Sequence, residues 1–208
     1  MILSSFPQPT ATRTCLLTHF DVKILFHEFG HGVHDFVSKT KYARFHGPGG
    51  TAVDFGEAPS QMLENWCSIP SILKSLSKHY SYLSEEHARI WKEQASKHGK
   101  NHQKPPPEQI PDSLLEKVVG QIAPNHFLFH LSQLRQAIFD MAIHSPNNRD
   151  TMEQMDIATT YNRIRREVLP LDTPWALGEG DSWGHGYTDS DNIICLDYHA
   201  GYYGYFLY

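Results

Sequence analysis

The stretch Leu25-Phe26-His27-Glu28-Phe29-Gly30-His31 decides how the rest of this chain is read. Around it, Ile24, Leu25, Val33, Phe36 and Val37 recur at helical spacing, which predicts a helix over 21–37 with Thr18 or Asp21 as its cap. On such a helix His27 and His31 fall four residues apart on one face, near enough for both imidazoles to reach one ion. Glu28 stands one residue along, where a carboxylate can take a proton from water activated by the metal without itself being a ligand. The pattern is H-E-x-x-H, and zinc is the metal it suits.

Two imidazoles need a third ligand. The metzincin pattern would place Gly and His further along the same segment, but those positions hold His34 and Val37, so that subclass is excluded. His34 is assigned a packed or supporting role, since two turns separate it from His27. Glu57 is the best third ligand: it opens the next helical segment, 57–66, and the glycine-rich turn before it lets that segment fold back. Two His and one Glu, with a position open to water, make a catalytic rather than a structural zinc set. Asp54 and Glu64 are each open to two readings, as acceptors for the second N–H of a ligand imidazole or as solvated residues.

Outward from this centre, 39–54 reads as a tight loop between short extended pieces around His46-Gly47-Pro48-Gly49-Gly50. Pro70 ends one helix or starts the next, and 84–97 opens with Ser-Glu-Glu as a good helix start. The polar, proline-rich 99–111 is the clearest linker or exposed loop. Helices are predicted over 112–122, 125–143 (set apart by Pro124) and 150–168, then loop over 177–191 and a Tyr/Gly-rich end. The expected fold is mainly α: a zincin-like helical catalytic domain whose H-E-x-x-H helix packs against a second ligand-bearing helix, joined by a short extended or loop segment. The chain divides into a lead-in (1–18), a zinc-site region (19–98), the exposed loop (99–111) and a helical, Tyr/Gly-rich substrate side (112–208).

Composition sets the outer limits. With 208 residues, 40% hydrophobic and 20% charged, the chain can bury a real core. A net charge of −5 without a dense Lys/Arg run argues against nucleic acid as partner. Nothing approaches the ~20 apolar residues of a membrane span, and the start lacks a secretory pattern. Cys15, Cys67 and Cys195 are far apart and read as reduced thiols of an intracellular, cytoplasmic protein, with a mitochondrial location left open. Fourteen histidines are many for this length.

The two motifs together, Leu25 to His31 and Glu57-Ala58-Pro59-Ser60-Gln61-Met62-Leu63-Glu64-Asn65-Trp66, resemble the thimet oligopeptidase, neurolysin and saccharolysin family of zinc peptidases. Lys39 to Phe45 is most similar to its fungal members, and the likeness extends through Phe139-Asp140-Met141-Ala142-Ile143-His144 to Ala200-Gly201-Tyr202-Tyr203-Gly204-Tyr205. The resemblance implies one zinc ion held by His27, His31 and Glu57, Glu28 as catalytic base, and short peptides as substrates. It implies that Tyr198, Tyr202 and Tyr205 bind substrate by donating to its carbonyl and to the tetrahedral intermediate, a task that suits neutral phenols.

The match is incomplete in three places. The family's Phe-Gly-His has no counterpart in 188–196, and His185 does not inherit that role. Gly-Tyr-Asp-Ala becomes Asp197-Tyr198-His199-Ala200. Family enzymes are about three times longer, so the lobe that narrows their channel is expected to be absent. Two readings follow: a zinc metalloendopeptidase acting on short peptides, or a truncated, catalytically impaired remnant that still binds zinc. A helical interaction module with a coincidental motif is disfavoured because two separate motifs agree. Oligomeric state and cleavage specificity have no signature in the sequence.

Overall fold

The structure, a computed structural model, describes residues 5–10, 14–97, 104–171, 180–194 and 198–206, with side chains except at 122–126. It is mainly helical, and among the described residues there is no strand. The helices are α1 (His19–Val37), α2 (Val53–Gly56), α3 (Ala58–Glu64), α4 (Pro70–Leu76), α5 (Glu85–Lys97), α6 (Asp112–Gly120), α7 (Ile122–His144), α8 (Arg149–Glu153), α9 (Ile157–Val168) and α10 (Asp191–Ile194). The chain forms two compact units, one of Met1–Val37 with Pro59–Ala123 and one of Ser38–Ala58 with Pro124–Tyr208.

In the first unit, α1 begins two residues earlier than its apolar period predicts. Thr18 and Asp21 share the cap: the Thr18 backbone N–H donates to Asp21 Oδ2 (2.7 Å), and the Asp21 N–H donates to Thr18 Oγ1 (3.2 Å). This reciprocal pair satisfies donors that a helix start leaves open. Gly30 sets how closely α3 approaches. A Cβ at Gly30 would lie within 2.5 Å of the Pro59 carbonyl oxygen and on the Ser60 Cα, so only a glycine admits this backbone contact.

After α3 the chain tightens into a 3-10 turn, Asn65–Ser68, where Cys67 is buried. His19 Nε2 bonds the Cys67 carbonyl at 2.8 Å, and the Cys67 thiol reaches the Val22 carbonyl at 3.9 Å, tying this turn to the start of α1. Burial and then the nearby Glu64 charge push the thiol up to about 11, so it stays protonated and unreactive. Cys15 and Cys67 are both free, and Cys195 lies outside the described residues.

Pro70 starts α4 rather than ending the preceding helix. The expected exposed loop over 99–111 lies outside the described residues up to 103. Its described part is held along 77–82: His79 N–H donates to Glu108 O (2.7 Å), Ile110 N–H to Ser77 Oγ (3.0 Å) and Tyr82 OH to Pro106 O (2.9 Å).

The second unit is built on α7 and α9. Ala137, Phe139, Tyr161, Ile164, Ile193 and Tyr202 form its core, with Phe139 and Tyr161 packed edge to face at 5.1 Å. The Arg135 guanidinium lies 4.9 Å from the Tyr161 ring. Asn162 donates to the Asp181 and Trp183 carbonyls, and Arg166 grips both Asp181 oxygens at 2.7 Å, so α9 pins the segment after it.

Three expectations need correction. The extended pieces around 46–50 are 3-10 turns, Ala43–Phe45 and Pro48–Gly50. Pro48 presets the second turn, and local bonds (Gly47 N–H to Ser38 Oγ, Thr51 Oγ1 to Gly47 O) take the place of a strand ladder. The single helix over 150–168 is two, because extended Asp156 caps α9 by accepting the Thr159 N–H at 3.1 Å. Pro124 does not separate two helices. It is the third residue of α7, where its missing N–H has no intrahelical acceptor to lose.

Candidate metal centre

A helix of this register brings His27 and His31 side by side, with ring centroids 5.0 Å apart and planes at 85°. Glu64, the last residue of α3, accepts from His27 Nδ1 at 2.6 Å and from Lys23 Nζ at 2.8 Å. Burial alone would raise the Glu64 carboxyl. The His27 and Lys23 hydrogen bonds and the Lys23 charge outweigh it and hold the group below the usual carboxylate range. Glu64 is therefore ionised at neutral pH and can only accept, so a neutral His27 imidazole carries its proton on Nδ1 and has its lone pair on Nε2, where a metal can bind. Because the shift is downward, this contribution is present above the ordinary carboxylate pKa and is lost as the pH falls through the lowered value.

Glu57 is 2% exposed, an unusual setting for a carboxylate without compensating charge or donors. Tyr198 OH donates to its Oε1 at 2.5 Å. One ligand atom from each of His27, His31 and Glu57 lies within 4.8 Å of the others. Chain connectivity explains the grouping: Glu57 stands two residues before Pro59, and α3 is held against α1 at Gly30. Two imidazoles and a buried carboxylate at this spacing are a donor set that fits a divalent zinc ion. Glu28 is half-buried beside His27 in α1.

His34, in the last turn of α1, is half-buried and is not among the converging three. Asp54, offered above as an imidazole partner, accepts from Tyr203 OH at 3.3 Å. The three tyrosines pack with tilted rings, Tyr205 lying 5.0 Å from Tyr198 and 5.1 Å from Tyr202 by ring centroid. Tyr198 spends its phenol on Glu57, and Tyr202 spends its own on Gln133 Oε1 at 2.8 Å. Burial, first among the causes, raises the phenols of Tyr202 and Tyr205, so both stay neutral donors. His185 is exposed against Tyr187 and belongs to no metal group among the described residues.

Two contributors escape a reading of motifs. Gly30 fills an unspecified position of H-E-x-x-H, yet a glycine inside a helix is itself a signal of close backbone approach. Asp140 is a lone charge within the apolar run 137–143, and it is fully buried.

The family profile described as peptidase family M3 matches residues 1–207. Saccharolysin of Saccharomyces cerevisiae is 35% identical over 205 residues, covering 98% of this chain and 24% of that protein. Oligopeptidase PhomG of Diaporthe leptostromiformis is 33% identical over 206 residues, covering 99% of this chain and 28% of its own length. Thimet-like oligopeptidase of Dictyostelium discoideum is 33% identical over 207 residues, 98% of this chain and 25% of that protein. The chain thus spans about a quarter of the length of the curated relatives it matches.

Proposed function

This chain belongs to peptidase family M3, and from that premise we propose that it is the zinc-bearing catalytic part of a metalloendopeptidase that hydrolyses short peptides. The observation that carries the proposal is the convergence of His27, His31 and Glu57 within 4.8 Å, with Glu28 next to the first of them. Relatives named as oligopeptidases support short peptides as the substrate class.

A zinc ion in this set supplies Lewis acidity toward a substrate carbonyl and brings the pKa of a water to ~7. Glu28 accepts the proton of the attacking water and returns it to the leaving amine. Glu64 keeps His27 in the tautomer that exposes Nε2 and fixes the ring through its 2.6 Å bond. Tyr198 orients Glu57, Tyr202 is held by Gln133, and the neutral Tyr205 phenol is the candidate donor to charge developing on the carbonyl oxygen. We place the work in the cytoplasm. Among the described residues no helix is long and apolar enough to cross a membrane.

A quenched fluorescent peptide tests the proposal. The zinc-loaded chain is expected to cleave it, a chelator to stop cleavage, and added zinc to restore it. A fully loaded chain with no turnover on a panel of short peptides would leave an impaired, zinc-binding remnant as the function.

A further inference from the structure

The carboxylate of Asp140, in α7, is fully buried and receives three donors. Oδ1 accepts the Ala200 N–H at 2.9 Å and His144 Nδ1 at 2.7 Å, and Oδ2 accepts the Tyr202 N–H at 3.0 Å. One backbone donor, Ala200, lies within a tight turn closed by Gly201 N–H to Tyr198 O at 2.9 Å, and the other, Tyr202, follows that turn directly. Ala200 within that turn has φ 54, a left-handed backbone that a residue with a Cβ keeps only when its surroundings impose it.

Other residues of α7 continue the grip. Gln133 takes the Tyr202 phenol (2.8 Å), and Gln136 takes the Ser190 hydroxyl (3.3 Å), so 133, 136 and 140 form one polar stripe along the helix. On its other side the turn rests on α2, where a Cβ at Gly201 would meet Val53 Cγ1 at 2.9 Å. Glu57 follows directly after α2, and Tyr198 at the head of the turn holds it. A buried charge is retained only when donors repay its desolvation, and here two of those donors are backbone amides 60 and 62 residues away.

We propose that Asp140 is a positioning residue of the metal centre: it clamps the turn at 198–202 and thereby sets the Tyr198 phenol on the ligand Glu57. The effect on zinc rests on the metal reading above, whereas the clamp does not. Asn at 140 matches the shape but puts an NH2 where one backbone N–H needs an acceptor.

The test joins amide exchange to zinc competition with a chromophoric chelator. In wild type, the Ala200 and Tyr202 amides are expected to exchange at least ~100-fold slower than in an open chain. In D140N both lose that protection while α9 keeps its own. Zinc binding is expected to weaken about 10- to 100-fold in D140N and in Y198F, the range typical of residues that orient metal ligands. The double variant should be no weaker than the worse single one, because both act through one contact. H144A removes only one of the three donors and should weaken zinc about fivefold, which keeps the question answerable if D140N does not fold. Rapid exchange at both amides in wild type would overturn the clamp. Zinc binding unchanged in D140N, or losses that multiply in the double variant, would overturn the positioning role. A wild-type chain that takes up no zinc removes the metal reading and the positioning role with it, and the amide data then judge the clamp alone.

Discussion

Glu28→Gln is expected to keep one zinc bound and to lower peptide turnover by about 10³-fold, the middle of the range for a lost general acid–base. Gln has nearly the shape of Glu and cannot take up a proton at neutral pH. It stands outside the ligand set of His27, His31 and Glu57, so metal content should not move. The pair of readouts makes the prediction specific: metal analysis reports the site, and kcat reports the proton transfer. Retained turnover at full zinc occupancy would remove Glu28 from the mechanism. Loss of zinc together with turnover would make it part of the site's framework instead.

Gly30→Ala is expected to disrupt the site from below. The added methyl would be directed at Ser60 Cα and at the Pro59 carbonyl, 2.5 Å from its oxygen and 2.8 Å from its carbon. These are backbone atoms that cannot rotate away, so α3 must shift or the helix must bend. Overpacking commonly costs about 1–3 kcal/mol, and a rigid backbone neighbour argues for the upper end or beyond. Since Glu57 sits two residues before Pro59, the same shift carries a ligand off its place. Denaturant melts and zinc competition should therefore both register the change. Wild-type stability and zinc affinity in the Gly30→Ala variant would mean that α1 and α3 do not touch as described.

The parts that could be read from sequence are those whose signal is local. His27 and His31 fall together through one helical period of α1, and Glu57 stands immediately before α3. Sequence leaves Glu64 equally open to solvation and to pairing with His27, and the 2.6 Å bond selects the pairing. What the sequence left illegible depends on contacts between distant positions. Tyr198 and Glu57 are 141 residues apart, and no spacing rule links a phenol to a carboxylate across that distance. The resemblance casts Tyr198 as a donor to substrate, and in the folded chain its hydroxyl lies on Glu57.

Smaller differences have local causes that propensity underweights. Asp156 and Thr159 make a cap inside what reads as one continuous helix. The segment 43–50 has aromatic and glycine residues suited to extended pieces, yet among the described residues it has no strand to pair with and closes into turns. Gly30 and Asp140 carried signals of their own, a glycine in a helix interior and a charge in an apolar run, which gain meaning once their neighbours are known.

Catalysis and positioning alike depend on His27, His31 and Glu57 holding a metal. Elemental analysis of the chain purified without added metal, beside His31→Ala and Glu57→Ala, tests it directly. The arrangement predicts about one zinc per wild-type chain and a small fraction of that in either variant. A wild-type chain without zinc even after incubation with it, or a Glu57→Ala chain that retains a full equivalent, would contradict it.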